Sequence, residues 1–302
     1  MGRRKHGADI HGIVLLDKPV GISSNRALQK VRGIFQARKA GHTGSLDPFA
    51  TGMLPICLGE ASKTAAFMLE AGKWYRATAK LGVATTTGDV EGELIQTCPI
   101  PDLDPETLAQ SLQQFVGEIK QVPPMYSALK HEGKPLYEYA RAGITIERPA
   151  RSVFIHHLEI LDWKAPLLTF VVHCSKGTYI RTLAEDIATA LGSCAHLIEL
   201  RRTLVEPFDK FPMLTLEQLQ EARDSGELPG VLLAVDAGLP DWPRLDLDTI
   251  QQGKFKHGQH FTVSNGESNI GMVRVYGPEG DLLGLAEIAP NGNLQPSRVF
   301  NL

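Results

Sequence analysis

The chain has few cysteines, and their spacing excludes several classes of site. It contains four in 302 residues, Cys57, Cys98, Cys174 and Cys194, and none forms a C-x-x-C pair. This spacing argues against a zinc knuckle, an iron–sulfur site or a disulfide framework. We therefore expect four reduced thiols, as in a cytoplasmic protein.

Long apolar runs are also missing. No segment approaches the roughly 20 apolar residues that a membrane helix requires. The first twelve residues, MGRRKHGADIHG, are basic, but no long apolar region follows them, so they do not resemble a secretory signal. The sequence thus predicts a cytoplasmic protein without a membrane span, and nothing in it implies a protein partner. The basic start is either a solvated tail or a nucleic-acid contact.

The usual cofactor and metal motifs are absent from the sequence. There is no G-x-G-x-x-G after a strand, no G-x-S-x-G and no H-E-x-x-H. Residues 59–64, GEASKT, end like a phosphate loop, but Cys57 and Ser62 stand where that pattern requires glycine. Ten histidines are scattered, and the pair His156 and His157 lacks further ligands at metal spacing. We expect neither a metal nor a cofactor.

The composition is that of an ordinary globular protein, but its charge is unevenly distributed. Hydrophobic residues make up 43%, charged residues 22%, and the formal net charge is −3. The first 50 residues hold nine basic and three acidic side chains, which leaves 22 basic and 31 acidic for the rest. A basic patch on an acidic body can bind a polyanion locally. The nine basic residues are Arg3, Arg4, Lys5, Lys18, Arg26, Lys30, Arg32, Arg38 and Lys39.

Local patterns predict the main helices and strands. Apolar runs or alternation indicate strands over 13–17, 74–83 and 167–174. Helical spacing follows the possible caps at 23–25, and Asp104-Pro105-Glu106 is typical of a helix start. Further helices are indicated by Leu183, Ile187 and Leu191, with Gly192 as a stop, and by a capping box at Thr215 and Gln218.

The end of the chain differs in composition from the rest. Proline and glycine cluster between about 225 and 244, which is typical of a linker. Beyond it, residues 273–283 indicate a hairpin, so we expect a small all-β module from about 245 to 302.

One aperiodic loop is the first candidate for a functional segment. Residues 41–52, GHTGSLDPFATG, contain three glycines and a proline between elements that look buried. Ordinary turn chemistry explains much of this pattern. The loop nevertheless places the imidazole of His42 and the carboxylate of Asp47 five residues apart, with glycines that allow another backbone to approach.

Two further segments carry cations beside aromatic rings. In residues 173–181, HCSKGTYIR, Arg181 and Tyr179 could border a site, or Arg181 could simply pair with Glu185 one helical turn on. Residues 73–76, KWYR, could equally be a strand with aromatic packing and basic ends.

Together these segments resemble one family. The stretches LDKPVGISSN (16–25), GHTGSLDPFATGMLP (41–55), KWYRATAKLG (73–82), PPMYSALKHEGKPLYEYAR (123–141) and CSKGTYIRTLAEDI (174–187) are similar to the bacterial tRNA pseudouridine-55 synthases. The resemblance runs from about residue 10 to the C-terminus, whose end is more loosely similar to a PUA domain, a small RNA-binding β-barrel.

The resemblance implies a fold and a division of the chain. The implied fold class is α+β, a pseudouridine synthase fold with a mixed β-sheet flanked by helices, followed by a small C-terminal all-β PUA-like barrel. The catalytic domain would span 1–240, with an RNA-gripping insertion at about 124–151, and the RNA-binding domain 245–302.

The resemblance also implies the reaction and its residues. A uridine in the T-loop of tRNA would be flipped out, its glycosidic bond cleaved, and the base rotated and rejoined through carbon. Asp47 matches the catalytic aspartate, Arg181 its partner, and Tyr75 the ring that stacks on the uracil. His42 matches the residue that fills the vacated stack. Tyr179 and Leu200 match the uridine pocket, and Lys63 matches a motif position whose role is uncertain.

Several alternatives remain open at this stage. Asp47 could attack the anomeric carbon or remove a ribose proton, and both routes require its ionised form, which a nearby guanidinium favours. A non-catalytic RNA-binding or chaperone protein could use the same surface, but it would not need a carboxylate facing RNA. A glycosidic hydrolase would need a second carboxylate, and the loop contains none. The implied partner is tRNA, through its T-arm and, for the C-terminal module, its acceptor end.

Overall fold

The computed structural model describes residues 7–263 and 270–302. The basic residues Arg3, Arg4 and Lys5, which belong to the predicted basic patch, lie outside these ranges. Elements of both kinds alternate along the chain, and the predicted mixed α+β class is confirmed.

The centre of the molecule is one eight-stranded sheet. Its order is β1-β3-β12-β4-β11-β10-β7, with β2 added on β3, and only the β3–β12 contact is parallel. The predicted strands over 13–17, 74–83 and 167–174 are β1, β4 and β11. The bounds are β1 Gly12–Lys18, β2 Ala40–His42, β3 Thr51–Leu58, β4 Lys73–Leu81, β7 Gly117–Gln121, β10 Arg151–Lys164, β11 Leu167–Cys174 and β12 Ala195–Val205.

The helices predicted from caps and periodicity are present as α1, α3, α5 and α6. Ser23 caps α1 by accepting from the N–H of Arg26, and Asp104 caps α3 by accepting from that of Thr107. The predicted capping box of Thr215 and Gln218 opens α6. The bounds are α1 Ser24–Phe35, α2 Ala65–Met68, α3 Pro105–Gln113, α4 Leu136–Arg141, α5 Ile180–Ala190 and α6 Leu216–Asp224, with short 3-10 helices at Gly59–Lys63 and Leu228–Val231.

Two small hairpins project from this sheet. Strands β5 (Val83–Thr85) and β6 (Leu94–Thr97) follow β4 directly, and β8 (Lys130–His131) and β9 (Lys134–Pro135) lie within the segment between β7 and β10. The two ends of that segment lie side by side, because Gln121, the last residue of β7, pairs with Arg151, the first residue of β10. It therefore leaves and rejoins the sheet at one point.

A second sheet of five strands forms the end of the chain. Its order is β13-β15-β16-β17-β14, and the predicted hairpin is the antiparallel pair β15–β16. The expectation of an all-β module missed one helix, α7 (Thr249–Lys256), which begins with a capping box of Asp248 and Gln251. The strands are β13 Arg244–Asp246, β14 Phe261–Thr262, β15 Gly271–Tyr276, β16 Leu282–Ile288 and β17 Asn293–Val299.

The segment predicted to be a linker is fastened to the central sheet. Ile13 and Leu233 exchange both backbone hydrogen bonds, at 3.0 and 2.9 Å. Val235 and Leu239 are buried in the same hydrophobic cluster as Ile13 and as Leu285 of β16. The Pro/Gly-rich composition therefore marks a connection that packs on the core.

The expectation of four free thiols is wrong. Cys98 and Cys194 form a disulfide, whereas Cys57 and Cys174 are free and buried. Gly82 brings the two bonded cysteines together, because its N–H donates to the carbonyl of Cys194 and its carbonyl accepts from the N–H of Cys98. A separation of 96 residues hides this proximity from any local pattern.

Candidate active site

A cavity of about 760 Å³ opens over the middle of the central sheet. All six residues singled out from the sequence line it: His42, Asp47, Tyr75, Tyr179, Arg181 and Leu200. Tyr75 on β4 and Leu200 on β12 point to the same face of the sheet, since Tyr75 pairs with Arg202 and Leu200 with Ala77 two positions along. The sheet thus supplies the apolar wall, and loops and helix ends supply the charged groups.

Asp47 lies in the loop between β2 and β3, and the opening segment of the chain holds that loop from both sides. Ser24 Oγ accepts from the N–H of Leu46 at 2.7 Å and donates to the carbonyl of Leu46 at 2.9 Å. On the other side, the N–H of Gly21 donates to the carbonyl of Pro48 at 2.8 Å, and Lys18 Nζ donates to it at 3.3 Å. The residues before and after Asp47 are therefore both anchored.

Lys18 is buried, so it does not belong to an exposed basic patch, which corrects its place in the prediction. Its side chain is buried, and its ammonium donates to the carbonyls of Pro19, Ile22 and Pro48. Burial lowers the pKa of Lys18 to about 8. Its charge lowers the pKa of Asp47 from a buried position beneath the loop.

Arg202, which the sequence reading missed, holds the same loop from the sheet. Its Nε donates to the carbonyl of Met53 at 2.7 Å, and its Nη2 donates to that of Gly44 at 3.2 Å. Gly52 lies against the Arg202 backbone so closely that a Cβ there would stand 2.1 Å from the Arg202 carbonyl oxygen. Glycine at 52 is what allows β3 and β12 to meet at this point.

Arg181, in the first turn of α5, contacts Asp47 directly. Its Nε lies 3.0 Å from Asp47 Oδ2, and its side chain is 4% exposed, against 38% for that of Asp47. The carboxylate therefore faces the cavity while the guanidinium is buried behind it. The alternative pairing of Arg181 with Glu185 is not the one found.

The other nitrogens of Arg181 bind three further groups. Nη1 donates to the carbonyl of Thr87 at 2.7 Å and lies 3.6 Å from Asp89 Oδ2, and Nη2 donates to the carbonyl of Tyr126 at 2.7 Å. Asp89 is buried and accepts from Thr87 Oγ1 at 2.6 Å and from the N–H of Glu91 at 3.0 Å. The fixed fork of a guanidinium explains how one side chain can join four segments.

Asp89 is the second acidic residue that the sequence reading did not find near Asp47. It lies outside the Asp47 loop, in the hairpin turn between β5 and β6. A signal existed, because Asp89 stands in a Thr- and Gly-rich segment, TTTGDVEG (85–92), only a few residues after the strand that carries Tyr75. Nothing local, however, shows which cation it would meet.

The electrostatics of the cavity are set by burial. Burial raises the pKa of Asp47 above its usual value, and Asp89 adds to this, whereas the guanidinium of Arg181 opposes it. The pKa of Glu185 is raised to about 7, also by burial. Arg181 thus lies in a cluster with three carboxylates, those of Asp47, Asp89 and Glu185.

The ring groups of the cavity are held neutral. Burial and the nearby Arg202 lower the pKa of His42, whose Nδ1 finds no hydrogen-bond partner among the described residues. Burial raises the pKa of both Tyr75 and Tyr179. Neutral rings beside a carboxylate form a surface on which a flat, uncharged heterocycle can stack.

Lys63, whose role the sequence left uncertain, lies away from this cavity. It pairs with Glu60, donates to the carbonyl of Val299 at 2.7 Å and stands 6.0 Å above the ring of Phe300. It therefore joins the central sheet to the end of the chain. Within 7–263 and 270–302, no group of three His, Cys, Asp or Glu side chains could hold a metal ion, and no helix is long and apolar enough to cross a membrane.

Three family models match successive parts of the chain. Residues 32–180 match the TruB family pseudouridylate synthase N-terminal domain, and residues 181–239 match the tRNA pseudouridylate synthase B C-terminal domain. Residues 243–300 match the model described as pseudouridine synthase II TruB, C-terminal.

Similar proteins cover the whole chain. The tRNA pseudouridine synthase B of Actinobacillus succinogenes is 50% identical, covering 100% of this chain and 98% of its own length. That of Nitrosococcus oceani is also 50% identical, with 99% and 97% covered. Among solved structures, a Cbf5-Nop10-Gar1 complex contains a chain with a TM-score of 0.74 at 25% identity, covering 96% of this chain and 85% of that one.

Proposed function

Because this chain belongs to the TruB family of pseudouridylate synthases and is an enzyme that forms pseudouridine in tRNA, we propose that its substrate is uridine 55 of the T-loop and that Asp47 is the catalytic carboxylate. The observation that carries the proposal is the contact between Arg181 and Asp47 at the edge of a cavity lined by neutral rings. This contact presents the carboxylate of Asp47, backed by the guanidinium of Arg181, to a base that enters the cavity.

The proposed reaction requires both a carboxylate and aromatic rings in one cavity. A base within a folded loop must first be extruded, at a cost of a few kcal/mol. Stacking on Tyr75 can return about 1–3 kcal/mol, and His42, which also lines the cavity, would fill the vacated stack. The C1′–N1 bond then breaks, the base turns, and a C1′–C5 bond forms as C5 loses its proton and N1 gains one.

Asp47 begins this sequence in its ionised form. It either attacks C1′, forming a transient ester that the rotated base displaces, or removes a ribose proton that is later returned. Arg181 favours ionisation, and its contacts with the carbonyls of Thr87 and Tyr126 fix the guanidinium in place. The change is redox-neutral and transfers no group to or from a second molecule.

The partner surfaces follow from the same proposal. The T-arm would occupy the cavity, with residues 124–151 gripping it from one side. The C-terminal sheet would contact the acceptor end of tRNA. We also place the protein in the cytoplasm, where tRNA is processed.

The Asp47→Asn variant tests the catalytic assignment, because it keeps the size of the side chain and removes the charge. We expect single-turnover formation of pseudouridine in a T-arm stem-loop to fall by about three orders of magnitude or more, with RNA affinity largely retained. Asp102→Asn, an exposed change of the same kind, should leave turnover unchanged.

Product analysis separates the competing functions. Isomerised base is expected from the unaltered enzyme, whereas free uracil would indicate a glycosidic hydrolase and unchanged RNA a binding or chaperone protein. Tritium release from 5-labelled uridine should occur with the T-arm and not with an anticodon stem-loop. Near-normal turnover by Asp47→Asn would falsify the central assignment.

A further inference from the structure

The last residue of β7 pairs its side-chain amide with the backbone of Tyr179. Gln121 is 2% exposed, and its Oε1 accepts from the N–H of Tyr179 at 3.0 Å while its Nε2 donates to the carbonyl of Tyr179 at 3.3 Å. A side-chain amide carries a donor and an acceptor side by side, so it can make both contacts at once. The two-point contact restrains both the position and the rotation of the Tyr179 peptide groups.

Tyr179 needs such a partner because of where it stands. It is the residue before α5, in extended conformation at φ −98° and ψ 109°, and its side chain makes no capping hydrogen bond. Its N–H lies outside the helical ladder, whereas its carbonyl also accepts from Leu183 at 3.0 Å. Gln121 thus determines the backbone from which the Tyr179 ring projects into the cavity, two residues before Arg181.

Gln121 is also the point at which the chain leaves the sheet. It pairs with Arg151, so residues 122–150 begin and end beside it. Within that segment, the carbonyl of Tyr126 accepts from Arg181 at 2.7 Å. The buried amide of Gln121 therefore lies at the start of this segment and also binds a residue that lines the cavity.

We propose that Gln121 is a positioning residue for the isomerisation: it sets the Tyr179 ring against the target base by holding the Tyr179 backbone. The inference rests on the proposed function, since the role of Tyr179 in the uridine pocket is part of that proposal. Gln121 itself touches no reacting atom, so its loss affects the step after RNA has bound.

The Gln121→Glu variant gives a readout that general destabilisation does not. Its carboxylate can still accept from the Tyr179 N–H but offers no donor to the Tyr179 carbonyl, whereas its protonated form restores the donor. Burial raises the pKa of a glutamate at such a site, whereas the cations Arg151 and Arg181 oppose the rise, so the rates are measured across the whole range from about pH 5 to 9. We expect single-turnover rates about tenfold below the unaltered enzyme at about pH 8, recovering as the pH falls.

The rate of each variant is divided by the rate of the unaltered enzyme at the same pH, so that titrations common to both proteins cancel. The charged groups that act on Tyr179 are Arg181, Asp47 and Arg151, and all are present in both proteins. RNA affinity, measured at each pH, should change by less than about twofold, because the defect lies in the bound complex. Gln113→Glu, on the exposed side of α3, carries the same charge change and should give a flat ratio near one.

Gln121→Met removes both hydrogen bonds without adding a charge, and it replaces the glutamate should that variant unfold. We expect it to be slow at every pH, with no recovery and with RNA affinity kept. A folded Gln121→Met protein with unaltered turnover, or a Gln121→Glu ratio of one across the pH range, overturns the inference. Tyr179→Ala separates the two proposals: normal turnover there refutes the pocket role of Tyr179, whereas slow turnover with normal Gln121 variants refutes only the positioning role.

Discussion

At the scale of single residues, the charge balance of the cavity depends on Arg181, which lies close to two carboxylates. Arg181 lies 3.0 Å from Asp47 and 3.6 Å from Asp89, and both acids depend on it for compensation. In the proposed mechanism Asp47 must be ionised to act, so we expect the rate to be lost as the pH falls through its pKa. Because burial raises that pKa, we expect the acid limb of the rate profile to lie above the ordinary range of an aspartate.

Two substitutions should move this limb in opposite directions. Arg181→Met removes the cation that lowers the pKa of Asp47, so the limb moves to higher pH and the rate falls. Asp89→Asn removes a charge that raises the pKa of Asp47, so the limb moves to lower pH. Single-turnover rates from about pH 5 to 9 measure the direction of both shifts.

Arg223→Met serves as the control for these profiles. Arg223 is exposed on α6, away from the cavity, and its replacement should leave the limb where it is. If the limb moved the same way in Arg181→Met and Asp89→Asn, it would report something other than Asp47.

At the scale of elements, two adjacent serines at the start of α1 have different roles. Ser23 is exposed and caps the helix through the N–H of Arg26, whereas Ser24 is buried and makes both of its hydrogen bonds to Leu46. The resemblance of LDKPVGISSN to the family therefore has a physical basis, because this segment supports the Asp47 loop.

These serines make a matched pair of variants. Ser24→Ala leaves the buried N–H and carbonyl of Leu46 without partners, so we expect a loss of about 1–3 kcal/mol in the free energy of unfolding together with slower turnover. Ser23→Ala should cost about 1 kcal/mol and leave the single-turnover rate unchanged. Urea unfolding measures the first quantity. Equal rate losses in the two variants would contradict a loop-supporting role for Ser24.

The segment between β7 and β10 is the element that we expect to meet phosphates. Lys130 is exposed there, Lys134 lies 4.8 Å from the ring of Tyr139, and Arg141 lies 5.4 Å from that of Tyr137. Of the basic residues in 1–50 that the structure describes, Lys18 is buried, and Arg38 is exposed but pairs with Asp9. The other exposed ones are Arg26, Lys30, Arg32 and Lys39.

We therefore predict that tRNA affinity falls steeply with salt and that Lys130→Gln and Arg141→Gln each make the slope shallower by about one. Affinity measured between about 50 and 200 mM salt gives the slope. Lys164→Gln is the control, since Lys164 is exposed at the opposite end of β10. A slope that stays the same in both test variants would mean that the segment binds no phosphates.

At the scale of the whole molecule, the C-terminal sheet is built into the core. Leu285 and Phe300 belong to one hydrophobic cluster with Ile13 and Phe208. Polar contacts surround it: Tyr276 and Arg274 both bind Asp236, and the N–H of Asn301 donates to Glu60 at 3.0 Å. These contacts favour a module that stabilises the catalytic part over one that is freely separable.

We accordingly expect deletion of 245–302 to weaken binding of full-length tRNA and also to lower the melting temperature of the remainder. Phe300→Ala, which leaves the sheet present, should cost about 3–5 kcal/mol in the same unfolding transition as the catalytic part. Circular dichroism melts and turnover on a T-arm stem-loop measure the two effects. A truncated chain that melts like the intact protein and keeps full turnover would show that the module is separable.

The sequence by itself determined the local elements and the main candidate loop. Helices α1, α3 and α6 begin at the predicted caps, β1, β4 and β11 follow the predicted patterns, and the His42–Asp47 loop stands out by its glycines. These features depend on neighbours a few residues apart, so periodicity and capping reveal them. Local patterns also singled out the segments that carry Tyr75, Tyr179 and Arg181, but only the family resemblance joined them to Asp47 and added Leu200.

Only the tertiary structure decided which distant groups meet. Asp89 behind Arg181, Gln121 on the backbone of Tyr179, and the disulfide of Cys98 and Cys194 all join residues more than 50 positions apart. The burial of Lys18 and the packing of the 225–244 segment are of the same kind. Such contacts are set by the order of strands in the sheet and by what each buried polar group must find as a partner, and neither leaves a periodic trace along the chain.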